Sequence, residues 1–240
     1  MQQLHTRAAL PDFWYSYNYR VVQLTVICFM TRTRVKICGI TRPEDGLTAA
    51  RLGVDAIGLV FYPPSSRAVE VPTARQIVVA MPPFITLVGL FVNADPLRVR
   101  DILRQIPLGL LQFHGQEGPS YCASFGIPFI KAVPMGAGVA IKDYERRFAT
   151  ASGLLLDSHG AATPVGGSGQ CFDWTAIPAD VAKPLILAGG LDPHNVAEAI
   201  QRIRPWAVDV SSGVESARGI KDSRLMRTFM QAVEEGDSRA

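Results

Sequence analysis

The sequence predicts an α/β protein built as a single (β/α)8 TIM barrel, preceded by an extra N-terminal segment that has no place in it. Three observations carry this expectation. From Arg34 onward a short apolar run followed by a helix-compatible stretch recurs eight times. Several of these runs are apolar throughout, as expected of parallel strands buried on both faces. The 240 residues, 48% hydrophobic and 19% charged, are enough for one ordinary domain that needs neither disulfides nor a structural metal. Parallel strands require crossover helices, and eight of them close a barrel with a filled interior. A doubly wound open sheet is the rival, but it would use fewer strands and show a Gly-rich dinucleotide fingerprint after the first. The sequence there is Gly39-Ile40-Thr41-Arg42, which has no such pattern.

In chain order, Val35-Lys36-Ile37-Cys38 is the first strand. Thr41 can then cap a helix with Pro43 in its first turn. Ala49, Ala50 and Leu52 supply that helix's apolar face, and Gly53 ends it. Further strands are expected at 56–61, 85–92, 108–113, 129–133, 153–156, 185–188 and 207–210. Helices are expected near 73–80, 96–105, 119–125, 140–148, 173–177, 195–203 and 222–234.

Residues 1–33 do not share this pattern, so the chain divides into an N-terminal extension (1–33) and a barrel domain (34–240). Six of the twenty aromatics (Phe13, Trp14, Tyr15, Tyr17, Tyr19 and Phe29) fall in the first thirty residues without helical or alternating periodicity. The cluster fits an Arg- and Ser-rich transit peptide poorly. A disordered tail, or a true start at Met30, is the plainer expectation. The apolar run from Val21 to Met30 is too short to span a bilayer, and Thr31-Arg32-Thr33-Arg34 after it is no signal cleavage site.

Charge and cysteine content narrow the partners. Of the net charge of +3, Arg7, Arg20 and Arg32 against Asp12 account for +2, leaving a near-neutral body that argues against nucleic acid. Cys28, Cys38, Cys122 and Cys171 form no C-x-x-C pair and have no histidine at metal-ligand spacing. The expectation is a reducing cytoplasm, with no metal site, no disulfides and no membrane partner.

A barrel of this type builds its active site from the C-terminal strand ends and the loops after them. The polar residues expected there are Cys38, Arg67, Asn93, His114, Asp157 and Asp209, with Gly189-Gly190 after strand seven and Ser211-Ser212-Gly213 after strand eight. Either small-residue group alone reads equally well as a turn. Together, in the two loops that recurrently hold phosphate in this fold, they point to an anion cradle of backbone N–H groups. Cys38 could be a buried small hydrophobe, or a reactive thiol whose pKa Arg67 lowers and bound phosphate raises. Partial desolvation would raise the Asp157 pKa and Arg67 would oppose that; a capping or paired structural role is the alternative. His114 is a candidate for lining the pocket or for a supporting or core position. His159 and His194 read as loop or cap residues, and Cys122 and Cys171 as unreactive.

These residues stand in motifs that resemble the phosphoribosylanthranilate isomerase family of tryptophan biosynthesis. The motifs are Val35-Lys36-Ile37-Cys38-Gly39-Ile40-Thr41, Phe61-Tyr62-Pro63-Pro64-Ser65-Ser66-Arg67, Leu90-Phe91-Val92-Asn93 and Leu111-Gln112-Phe113-His114-Gly115. They continue through Leu155-Leu156-Asp157-Ser158, Gly166-Gly167-Ser168-Gly169, Phe172-Asp173-Trp174, Ala188-Gly189-Gly190-Leu191 and the run from Val208 to Glu215. The resemblance implies that Cys38 is the general base and Asp157 the general acid. It also implies that Arg67 holds the anthranilate carboxylate and that Asp209 lies beside the anthranilate nitrogen; His114, by its place after strand four, is the further candidate for substrate contact. Gly189, Gly190, Ser211, Ser212 and Gly213 would bind phosphate. The implied reaction is an Amadori rearrangement of N-(5-phosphoribosyl)anthranilate, with no cofactor and with the phosphoribosyl substrate as partner of a monomer or homodimer. Three positions depart from the family pattern: Ser66 and Arg218, where proline is usual, and Phe113, where leucine is usual. Ser66 would loosen the loop that presents Arg67. The rivals are another phosphosugar aldose–ketose isomerase barrel, which typically uses two aspartates, and a non-catalytic barrel that binds a phosphorylated metabolite.

Overall fold

The structure, a computed structural model, describes residues 32–136, 139–158 and 173–239. The aromatic cluster of the extension, His5, Cys28, His159, Cys171, Phe172 and the Gly166–Gly169 motif lie outside the described residues. Eight parallel strands close a barrel in sequential order: β1 (Arg34–Cys38), β2 (Ala56–Val60), β3 (Thr86–Phe91), β4 (Leu110–Phe113), β5 (Phe129–Pro134), β6 (Gly153–Asp157), β7 (Leu185–Leu187) and β8 (Ala207–Val210). β8 closes on β1 with Lys36 opposite Asp209, and β1 meets β2 with Cys38 opposite Gly58. Around the barrel run α1 (Pro43–Arg51), α2 (Val71–Ala80), α3 (Pro96–Gln105), α4 (Pro119–Ala123), α5 (Ile141–Arg147), α6 (Val196–Ile203) and α7 (Ser223–Ser238). After β8 come a 3-10 turn (Ser212–Val214) and a small antiparallel hairpin of β9 (Glu215–Ala217) and β10 (Ile220–Lys221).

The two-residue period of a strand sorts its side chains. Outward residues such as Val35, Ile37, Ile57, Leu59, Leu111, Phe113, Leu154 and Leu156 join the helices in one continuous core. On that outer face Phe91, Phe113, Phe125 and Phe129 form a run of ring contacts centred on Phe113. The phenylalanine in the usual leucine position is thus the hub of this aromatic packing. Inward residues form two small apolar groups, Ile130, Ala132, Leu155, Ile186, Ala188 and Ala207 on one side and Cys38, Val60 and Leu90 on the other. Lys36 and Asp209 lie buried in this interior.

Local chemistry sets the element boundaries. Pro96 and Pro119 open α3 and α4, whose missing amide hydrogens cost nothing in a first turn. Asp95 and Asp222 cap α3 and α7 by accepting from Leu97 N and from Arg224 N and Leu225 N. Thr41 is not the cap of α1. Arg42 occupies that position without a side-chain bond, and the Thr41 hydroxyl donates to Gly219 O at 2.5 Å. Asp45 of α1 accepts from Lys221 N at 3.1 Å. The loop after β1 therefore anchors the β9–β10 hairpin, a contact between residues some 180 positions apart that no local pattern could display. The helix expected at 173–177 is only a 3-10 turn, Trp174–Ala176, capped by Asp173. Thr33, counted above with the extension, is buried and bonded through its amide and hydroxyl to Asp237 of α7.

Candidate active site

Cys38 ends β1 and turns into the barrel mouth, almost fully buried. Two residues earlier Lys36 enters the same interior, and its ammonium pairs with Asp209 Oδ2 of β8 at 2.8 Å. Gly58 of β2 makes room for both: a Cβ there would lie 2.7 Å from Cys38 Sγ and 3.2 Å from Lys36 Cε. Asp209 Oδ1 is buried and has no hydrogen-bond partner among the described residues. Burial pushes the Cys38 thiol above its ordinary value. Attraction to Lys36 works against that, and Asp209 reinforces it. Arg67 also bears on this thiol, but the cation that most opposes the rise is Lys36. Burial likewise lifts the Asp209 carboxyl above its ordinary range against the pull of Lys36.

Across the mouth, with β7 and β8 between it and β1, Asp157 ends β6. Its Oδ2 is 3.2 Å from His114 Nε2, which follows β4. Gln112 Nε2 lies 3.1 Å from His114 Nδ1. If the amide donates there, a neutral ring carries its proton on the nitrogen facing Asp157. His114 is thus brought to the carboxylate, and not to the position of an isolated core histidine. Gly189, at φ 79°, allows the close approach of the loops, since a Cβ would meet Ser158 N at 2.3 Å and Asp157 Oδ1 at 2.8 Å.

Arg67 is held by an acceptor that the sequence reading assigned no role. Its Nε and Nη2 each donate to one oxygen of Glu215 at 2.7 Å, the two-point geometry suited to a guanidinium. Glu215 also takes the buried Lys221 ammonium at 2.8 Å. Burial disfavours its charge, but Arg67 and Lys221 together hold the carboxyl below its usual range. Lys221 continues to Ser211 O at 3.0 Å, and Ser211 Oγ donates to Cys38 O at 3.0 Å. Ser65 Oγ accepts from Arg67 N within the loop that carries Ser66. Arg218 lies exposed at the turn of the hairpin.

The two loops expected to hold phosphate touch. Gly189 and Gly190 both have positive φ, and Asn195 Nδ2 donates to Gly190 O. Gly213 packs so closely that a Cβ would lie 2.1 Å from Leu191 O. Asn93 accepts from Gln116 N and braces the β4 loop. Among the described residues no group of three or more His, Cys, Asp or Glu is arranged to hold a metal. No helix among them is long and apolar enough to cross a membrane.

A further buried ion pair was not legible in the sequence. Lys131 of β5 points outward into the helical layer, pairs with Glu117 at 3.0 Å, and donates to Phe113 O and Gly115 O. Glu117 accepts from Asn93 N and Gly115 N. The pair thereby clamps the backbone on both sides of His114.

A thiol and a carboxylate thus end two strands at one mouth of a closed (β/α)8 barrel. The sequence profile of the N-(5'phosphoribosyl)anthranilate (PRA) isomerase family matches residues 35–232. An N-(5'-phosphoribosyl)anthranilate isomerase from Nitrosococcus oceani is 53% identical over 203 residues, covering 85% of this chain and 98% of the relative. Phosphoribosyl anthranilate isomerase from Thermotoga maritima superposes with a TM-score of 0.76 at 41% identity, covering 84% of this chain and 98% of that one. A phosphoribosyl anthranilate isomerase in complex with reduced 1-(o-carboxyphenylamino)-1-deoxyribulose 5-phosphate gives 0.73 at 39% identity, with the same coverage of 84% and 98%. The chain belongs to the N-(5'-phosphoribosyl)anthranilate isomerase family.

Proposed function

We infer that this protein catalyses the Amadori rearrangement of N-(5'-phosphoribosyl)anthranilate to 1-(2-carboxyphenylamino)-1-deoxyribulose 5-phosphate in tryptophan biosynthesis, and works in the cytoplasm. The observation that carries the reading is the pairing of a buried thiol ending β1 with a carboxylate ending β6 in one mouth. Asp157, protonated, donates to the furanose oxygen as the ring opens to a Schiff base. The Cys38 thiolate then takes the proton from C2, and the enolamine tautomerises to the ketone. One acid and one base flanking an anchored sugar suffice for this chemistry. His114 steadies the Asp157 carboxyl and faces the substrate beside it. Glu215 engages Arg67 through Nε and Nη2, and the Nη1 side of the fork is directed to the anthranilate carboxylate. Asp209, whose Oδ1 lacks a protein partner among the described residues, accepts from the anthranilate nitrogen. Gly189, Gly190, Ser211, Ser212 and Gly213 take the phosphate through backbone N–H groups. The relative solved with the reduced rearranged product supports a ligand of this chemistry.

The barrel from Met30 onward carries this activity by itself, so a chain starting there should match full length in turnover and melting temperature. The reading is tested by following the loss of phosphoribosylanthranilate with purified protein and by restoring growth of a tryptophan-requiring strain that lacks this isomerase. Failure of both would reject it. Ser212→Asp tests the phosphate loops, because a carboxylate beside a phosphate should raise KM steeply. Gly213 is a poor probe, since its substitution would distort the loop against Leu191 O whatever binds there.

A further inference from the structure

Lys36 takes no part in the reading above, yet it joins the candidate base to Asp209. It precedes Cys38 by two positions on β1, so both side chains enter the interior, one layer apart. The lysine is 5% exposed and Cys38 is 7% exposed, so water does little to solvate a charge on either. An anion formed there is costly unless a fixed cation lies beside it. The groups bearing on the sulfur come from every element packed around it. They are Lys36 on the same strand, Asp209 from β8, and Lys221 from β10, with Arg67 from the loop after β2. Lys221 and Arg67 are both committed to Glu215. Lys36 instead has one carboxylate oxygen at 2.8 Å, and its Cε and the Cys38 sulfur both pack against Gly58.

We propose that Lys36 is the positioning residue of the candidate base: its ammonium, paired with Asp209 in the interior that the sulfur also enters, is the charge that lets Cys38 exist as a thiolate inside the barrel. The inference rests on reading Cys38 as the base. Lys36 keeps its proton throughout. Burial disfavours its charge, but Asp209 first and Cys38 next outweigh this and hold the amine above its ordinary value. Asp209 and the sulfur compete for one cation, so the two partners of the ion pair should act on the thiol in opposite directions. A structural pin would not do this.

The test is titration of Cys38 by thiolate absorbance and by the pH dependence of iodoacetamide alkylation, with Cys38→Ser as the blank for the other cysteines. Lys36→Met should raise the thiol pKa by about one unit or more, slowing alkylation at neutral pH about tenfold. Asp209→Asn should lower the pKa and speed alkylation. The double variant Lys36→Met, Asp209→Asn removes both charges, so neither is left buried alone. Its thiol should titrate above that of Asp209→Asn. An unchanged titration in Lys36→Met, or shifts in the same direction for both single variants, would overturn the proposal. If Lys36→Met does not fold, the double variant decides by the same comparison. Parental turnover in Cys38→Ser would remove the base itself whatever the titration gives, so the two failures are distinct.

Discussion

Two of the buried lysine–carboxylate pairs among the described residues, Lys131–Glu117 and Lys36–Asp209, are built differently. Lys131–Glu117, outside the sheet, is fully satisfied: the ammonium donates to two carbonyls as well as the carboxylate, and both Glu117 oxygens receive backbone amides. Lys36–Asp209, inside the mouth, has one oxygen bonded and the other without a partner among the described residues. A buried polar group left unsatisfied costs about 1–3 kcal/mol. The complete pair fixes backbone, and the incomplete one sits near the thiol with an acceptor that meets no donor among the described residues. Saturation of hydrogen bonding therefore separates the two pairs, and the open acceptor is the one assigned above to the anthranilate nitrogen.

The comparison can be broken at either end. Lys131→Met should have the largest effect on stability. It leaves Glu117 charged and buried, at a cost of about 3–5 kcal/mol, read as a fall in the denaturation midpoint. KM should change little in the fraction that stays folded. Asp209→Asn keeps an acceptor for Lys36 and should cost less stability. It should lower kcat about tenfold to a hundredfold, the worth of one charged hydrogen bond. If Asp209→Asn lost stability but kept its turnover, the two pairs would be the same kind of device. Glu215→Gln is expected to have the smallest effect on turnover. It weakens the two-point hold on Arg67 and should raise KM about tenfold with kcat nearly kept, again the worth of a charged hydrogen bond.

Much of the barrel was legible because its determinants are local. Runs such as Leu154-Leu155-Leu156 read as strands buried on both faces, and Asp157 stood out as the first polar residue after them. Cys38 was legible on the same logic. Lys36 and Lys131 were not. Each sits within an apolar strand where the two-residue period gives a face but not which face is inside, and closure of the sheet alone sends one inward and the other outward. Glu215 lay within a quoted motif, but its hold on Arg67 joins residues 148 positions apart. The cap expected at Thr41 failed for the same reason: a hydroxyl that could have bonded its own helix found Gly219 O instead. The pairing of His114 with Asp157 likewise depends on strands four and six facing one mouth.

The division of labour between Cys38 and Asp157 is tested most directly by the pH profile of kcat/KM for Asp157→Asn. Removing a general acid should cost about 10² to 10⁴ in rate. The rate that remains needs only the thiolate. Because burial holds the Cys38 thiol above its ordinary value, that residual rate should climb with pH, level off above the usual thiol range, and show no alkaline fall. The parent should fall at alkaline pH as its acid is lost. Near-parental turnover in Asp157→Asn, or a retained alkaline fall, would contradict the assignment.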